Sequence, residues 1–182
     1  MRKHINLVLL LLLFVLPVVV AKLVLDNHWY QGGAINRGQL LEQPVVTDWQ
    51  GMRGKWQLVY LLPAECDARC QGALFNLRQV PQAMGAEQER IASLVLVSGQ
   101  GDSGLPAAEH VQADGSTVLT APDPVLDQIR ALEFGAQAIY ISDPQGNVML
   151  AYPLVEGQTQ VLAQGKDMLR DLKRLLKVSK IG

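Results

Sequence analysis

The chain is 182 residues long and nearly neutral, with 16 Lys and Arg against 17 Asp and Glu. Setting aside an apolar N-terminal segment leaves enough chain for one domain with a real core, and the dispersed basic residues offer no footprint for nucleic acid. Two cysteines are too few for a disulfide-framework domain or a four-cysteine zinc site, so the pair reads as one redox or metal centre.

Met1 to Leu25 has the character of a targeting or membrane segment. Arg2 and Lys3 precede an uncharged run from Leu7 to Ala21, then Lys22 and Leu23-Val24-Leu25. A bilayer-spanning helix takes about 20 residues and a secretory apolar region about 7–15. Ile5 to Leu25 reaches the first figure if Lys22 snorkels to the interface. An uncleaved signal anchor is the favoured expectation, and a cleaved signal peptide, with Val19-x-Ala21 as its small-residue site, is the rival. In both cases Arg2 and Lys3 hold the N-terminus in the cytoplasm. In a bacterium the remainder then lies in the periplasm, where a cysteine pair can be oxidised.

Residues 26–43 read as a juxtamembrane linker, with His28-Trp29-Tyr30 suited to a membrane–water interface and turn signals at Gly32-Gly33 and Asn36-Arg37-Gly38. Residues 44–182 are expected to form the globular domain. Val45 to Trp49 leans towards β structure. Trp56 to Leu62 is apolar except for Gln57, the pattern of a strand covered on both faces. Asp67 to about Ala83 predicts a helix with Leu74, Leu77 and Val80 in a stripe, stopped or kinked near Pro81. Ile91 to Val97 is a second buried strand. A long connection from Ser98 to Ala121 follows, with a short strand at Thr117 to Leu119. Asp123 to Phe134 predicts a helix ended by Gly135. Ala138 to Ser142 and Val148 to Tyr152 form a hairpin about Asp143-Pro144-Gln145-Gly146. Lys166 to Val178 predicts an amphipathic final helix, whose basic face reads as solvated rather than lipid-bound. The periodicity is that of an α/β domain.

The stretch that carries chemistry is Lys55 to Gly72. A buried strand leads through Pro63-Ala64-Glu65 to Cys66 and Cys70 at the start of a helix, where partial positive charge and free N–H groups favour a thiolate. Residues four apart on a helix share one face. Two thiolates so placed can pinch a soft ion such as Cu(I). They can also close a disulfide if Cys66 sits just before the first turn. A purely structural disulfide is the bland alternative, but so short a loop constrains the unfolded chain little. Glu65 and Asp67 would raise a thiol pKa, whereas Arg69 and the helix dipole would lower it. Asp67 more simply favours the helix start. His110, the sole histidine of the globular part, can be offered as a third metal ligand, although a lone loop histidine is more often solvated. Met84 and Met149 are thioether ligands in principle and core filler by habit. Gly99 to Gly104 lacks the Lys-Ser/Thr of a phosphate loop.

With these residues placed, the chain resembles the Sco family, membrane-anchored thioredoxin-like proteins that assemble the copper centre of cytochrome c oxidase. The resemblance covers roughly Gly54 to Leu176. It rests on Cys66-Asp67-Ala68-Arg69-Cys70 after an apolar strand and on Ile139-Tyr140-Ile141-Ser142-Asp143-Pro144-Gln145-Gly146-Asn147-Val148. It implies a thioredoxin-like fold preceded by one transmembrane helix, Cu(I) as metal, and an oxidase subunit or another copper-site apoprotein as partner. There are departures. Asp67 and Gln71 stand where the family has Pro after each cysteine, and Ala136 falls where the family has its third ligand, a histidine. The thiol pair is intact. Three readings follow: Cu(I) delivery by Cys66 and Cys70, thiol-disulfide exchange with Cys66 attacking and Cys70 resolving, and a scaffold that does neither. Only the second would make the protein an enzyme, an oxidoreductase.

Overall fold

The computed structural model describes residues 2–27, 36–46, 54–98 and 116–179. Expectations for His28-Trp29-Tyr30, Gly99 to Gly104 and His110 fall outside them. The chain divides into two units, Met1–Ile35 and Asn36–Gly182.

In the first unit a single helix, α1, runs Arg2–Asp26 and carries Pro17 in its interior. At 1.5 Å per residue it is about 37 Å long. Its described apolar side chains are exposed on every side; Leu9, Leu13 and Phe14 are examples. Among the described residues no helix is long and apolar enough to cross a membrane.

The second unit is built on one six-stranded sheet. Its strands are β1 (Gln39–Val46), β2 (Trp56–Leu61), β3 (Ile91–Ser98), β4 (Thr117–Ala121), β5 (Ala138–Ser142) and β6 (Asn147–Pro153). Their order is β1-β6-β5-β2-β3-β4. β2 lies parallel to β3, with Trp56 opposite Ile91 and Leu61 opposite Leu96, and antiparallel to β5. β3 and β4 are parallel, while β5–β6 and β6–β1 are antiparallel. Every residue of β2 is buried, as a run apolar but for one residue requires. Its single polar side chain, Gln57, accepts a hydrogen bond from Ser142 Oγ at 3.3 Å.

Three helices cover the sheet: α2 (Ala68–Gln82), α3 (Asp123–Arg130) and α4 (Gln158–Val178). The alternation of β2 splits its side chains between two cores. Leu58, Tyr60 and Leu62 pack with Ala73, Leu77 and Val80 of α2 and with Met168, Leu172 and Leu176 of α4. Val59 and Leu61 face the other way and pack with Leu126 and Ile129 of α3. Where α2 and α4 meet, glycines allow close approach. A Cβ at Gly72 would stand 2.7 Å from Val161 Cγ2, and one at Gly165 would stand 2.6 Å from Asn76 Oδ1.

The hairpin turn holds together through Asp143. Its Oδ1 accepts from the N–H groups of Gln145 and Asn147 at 2.9 and 2.8 Å, and Gly146 takes φ 93°. Gly54 N–H donates to Pro144 O at 3.0 Å, which ties the turn to the entry of β2.

The structure differs from the sequence reading at element boundaries. β1 begins at Gln39, inside the stretch 26–43 assigned to a linker, because pairing with β6 outweighs its weak local pattern. α4 begins at Gln158, eight residues before Lys166, on a segment whose polar residues and Gly165 hide its helical period. α3 stops at Arg130 and gives way to turns before Gly135. A 3₁₀ helix at Gly85–Arg90 follows α2.

A candidate thiol-disulfide site

The site forms where β2 hands the chain to α2. Leu62 still donates to Leu96 O at 2.9 Å, the last ladder bond before the chain leaves the sheet. Pro63 cannot donate to a ladder, and exposed Ala64 and Glu65 carry the chain over the sheet's edge to Cys66. Asp67 then caps the helix. Its backbone is extended, with φ −79° and ψ −174°, and its carboxylate accepts from Cys70 N–H at 2.9 Å. Its carbonyl takes the first intrahelical bond, from Gln71 N–H at 3.0 Å. An acceptor at this position satisfies one of the helix's unpaired N–H groups.

Cys66 therefore lies just before the helix and Cys70 in its first turn. Their Cα atoms are 5.2 Å apart and the two sulfurs are joined in a disulfide, a separation within the range of about 4.4–6.8 Å that disulfides need. The two sulfurs are not equivalent. Cys66 is half-buried at the surface, whereas Cys70 is 1% exposed. An incoming thiolate can reach the first and not the second.

Charge at the site is local. The hydrogen bond from Cys70 N–H holds the Asp67 carboxyl below the usual carboxylate range, with desolvation opposing and the Arg69 guanidinium helping. Arg69 Nε lies 3.3 Å from Asp67 Oδ2, and both side chains are about half exposed, so their pairing is worth little to stability. Beneath the motif lies Tyr60. Its ring is fully buried, and its hydroxyl has no hydrogen-bond partner among the described residues. Burial pushes that hydroxyl's pKa well above the ordinary value, Asp67 adds to the shift, and Arg69 opposes it.

Once reduced, Cys66 and Cys70 would present two soft sulfurs that suit Cu(I). Among the described residues no group of three or more His, Cys, Asp or Glu is arranged to hold a metal. Met84 is buried in the core beside α2, and Met149 packs against that core, which is the filler role. Ala136 packs against the second core below α3.

Two residues of consequence were missed from sequence. Tyr60 was hidden in an apolar run, although its period with Leu58 and Leu62 places it on the cysteine side of the sheet. Asp171 is fully buried on α4, and its signal was an acid three residues beyond Met168 on the apolar stripe. Its Oδ2 accepts from Arg37 N–H at 2.6 Å, Gly38 N–H at 2.9 Å and the Tyr152 hydroxyl at 2.7 Å.

Residues 56–179 match the family described as transmembrane-like, thioredoxin-like, C-terminal domain. No curated protein sequence matches the chain significantly. Several solved structures share its fold. Apo Sco1 from Thermus thermophilus is 14% identical with a TM-score of 0.54, over 79% of this chain and 99% of that one. BsSco, a member of the Sco family of cytochrome c oxidase assembly proteins in which a disulfide switch was identified, is 15% identical with a TM-score of 0.52, over 80% and 99%. A SCO1/SenC family lipoprotein from Bacillus anthracis str. Ames is 16% identical with a TM-score of 0.51, over 75% and 99%. At these identities the likeness is one of fold, and it is the thioredoxin-like fold the sequence led us to expect.

Proposed function

Since the chain belongs to the transmembrane-like, thioredoxin-like C-terminal domain family, we propose that it is a membrane-anchored thiol-disulfide exchange protein that assists cytochrome c oxidase biogenesis through Cys66 and Cys70. The observation that carries this reading is the asymmetry of the pair, one sulfur at the surface and its partner buried behind it. Exchange proceeds by thiolate attack through a mixed disulfide. In the reduced protein Cys66 would attack the partner's disulfide, forming one S–S bond as another breaks. Cys70 would then displace the partner's sulfur and close the Cys66–Cys70 bond, leaving the partner with two thiols. The partner is an oxidase subunit or another copper-site apoprotein.

The exposed apolar surface of α1 supports anchoring, with Arg2 and Lys3 cytoplasmic and the sheet domain in the periplasm of a bacterial inner membrane. In this arrangement 1–25 is the anchor, the residues up to Ile35 the connection, and Asn36–Gly182, which includes β1, the working domain.

Cu(I) delivery is the second reading, favoured by two sulfurs on adjoining positions of one helix start. Cys66 and Cys70 would hold the ion as cargo, with His110 the candidate third ligand. The reduced full chain in detergent should be titrated with Cu(I) against a competing chelator, beside Cys66→Ser and His110→Ala. Stoichiometric binding lost in Cys66→Ser supports carriage, and loss in His110→Ala as well identifies the third ligand. For exchange, Cys70→Ser in cells should accumulate a mixed disulfide through Cys66. If the Cys66→Ser, Cys70→Ser double variant sustains full oxidase activity, the protein is a scaffold instead.

A further inference from the structure

Among the described residues the hydroxyl of Tyr60 is a buried donor with no acceptor. A buried polar group without a partner is costly, and native structures hold few of them. This one lies in the core that contains Cys70, with Cys66 packed against it. Burial raises its pKa most, and Asp67 and Arg69, two residues that lie between the cysteines, act on it in opposite senses. The ring rises from the central strand into the core that α2 covers, the core that also holds Cys70.

We propose that Tyr60 is a positioning residue for the redox step: its hydroxyl donates to the sulfur of Cys70 once the disulfide opens, and so favours the reduced state. The chemistry follows from what reduction changes. An external dithiol breaks the Cys66–Cys70 bond by passing two electrons to its sulfurs. The dithiol closes to its own disulfide and gives up the two protons that the two cysteines take. Cys70 is left as a buried thiol, or a thiolate when it is about to resolve, and each accepts a hydrogen bond where the closed disulfide has taken none from Tyr60. The unsatisfied donor of the oxidised state becomes a satisfied one in the reduced state. Because Cys70 is sealed from water, Tyr60 supplies a hydrogen bond that solvent cannot.

The inference rests on the pair being redox-active, as proposed above, but its test needs no partner. The full chain, purified in detergent, is equilibrated with graded ratios of reduced and oxidised dithiothreitol, and the fraction of free thiol is read by alkylation. Tyr60→Phe keeps the ring and removes the hydroxyl. Its equilibrium constant for reduction should fall about tenfold, equivalent to about 30 mV for a two-electron couple. Tyr140→Phe is the control. Its hydroxyl lies in the opposite core and already donates to Gly135 O at 2.7 Å, so its equilibrium should match the wild type. An equilibrium for Tyr60→Phe within twofold of wild type overturns the proposal. If Tyr60→Phe does not fold, the wild-type protein decides. The reduced-minus-oxidised Raman difference in the tyrosine doublet should show one tyrosine becoming a hydrogen-bond donor, and no difference overturns the proposal. Loss of the oxidase role would appear only in the cellular assay, so the two failures are distinguishable.

Discussion

The Tyr152 hydroxyl donates to Asp171 Oδ2 at 2.7 Å, and the same oxygen gathers the backbone N–H groups of Arg37 and Gly38. One carboxylate oxygen thus fastens the chain entering β1 to the last helix and to β6. Charge-assisted bonds of this kind are the strong ones, and removing one partner leaves buried groups unpaired. Asp171→Ala should lose about 2–4 kcal/mol of stability and Tyr152→Phe about 1–2 kcal/mol, measured by urea unfolding of the oxidised protein. A loss below about 0.5 kcal/mol for Asp171→Ala, the level of an ordinary surface change, would refute the role given to this latch.

Gly38 is required there by its neighbour rather than by its backbone. A Cβ would stand 2.5 Å from Tyr152 Cζ and 2.9 Å from its hydroxyl oxygen. The ring is buried and bonded to Asp171, so it cannot give way. Gly38→Ala should cost about 1–3 kcal/mol as an overpacking change. Gly72→Ala meets a valine methyl instead and gains about 1 kcal/mol of helix propensity, so it should cost less. Equal losses in a side-by-side denaturation would contradict this ranking.

Asp67 links stability to acid pH. Its folded-state pKa is lowered, chiefly by the Cys70 N–H. Its contribution is therefore complete above the unfolded value of about 3.9 and is lost as pH falls through the lower folded value. Asp67→Ala should melt below wild type at neutral pH, and the gap should close in strong acid. A gap that stays constant as pH falls through that range would show that the carboxylate charge has no part in the cap.

The tyrosines set the alkaline limit. Burial pushes Tyr140 up to about 12 and raises Tyr60 and Tyr152 as well, Tyr152 with help from Asp171. A raised folded pKa gives stability that is complete below the unfolded value of about 10 and is lost as pH rises through the folded one. Tyrosinate absorbance from these three should appear only together with loss of circular dichroism, between about pH 10 and 12. Ionisation near the ordinary value with the fold intact would contradict their burial.

The sequence made the strands at Trp56, Ile91 and Ala138 legible because each is a mostly apolar run in the middle of the sheet. The cysteine motif was legible for a related reason, since the residues that shape it are neighbours in sequence: strand end, Pro63, cap Asp67, first turn. β1 and the first two turns of α4 were not legible. Their stability comes from distant partners, β6 for the first and Gly72 and Asn76 of α2 for the second. Asp171 and Tyr60 were missed for the same reason. Each is a polar group whose meaning depends on what the fold brings beside it, and Asp171's donors, Arg37 and Gly38, are more than 130 positions away in sequence.

The two faces of the sheet are unequally covered. Among the described residues two long helices lock together over the cysteine side, while the eight-residue α3 is the one helix on the other. The edge strand β4 is only partly buried and pairs on one side only. Such a molecule opens in grades. The partly exposed β4 should open at lower free energy than the buried β2 and the α2 turn that holds Cys70. Breathing at that margin and a stationary Cys70 are compatible properties, and a client that pries the sheet from the β4 side would leave the sulfur geometry as it was.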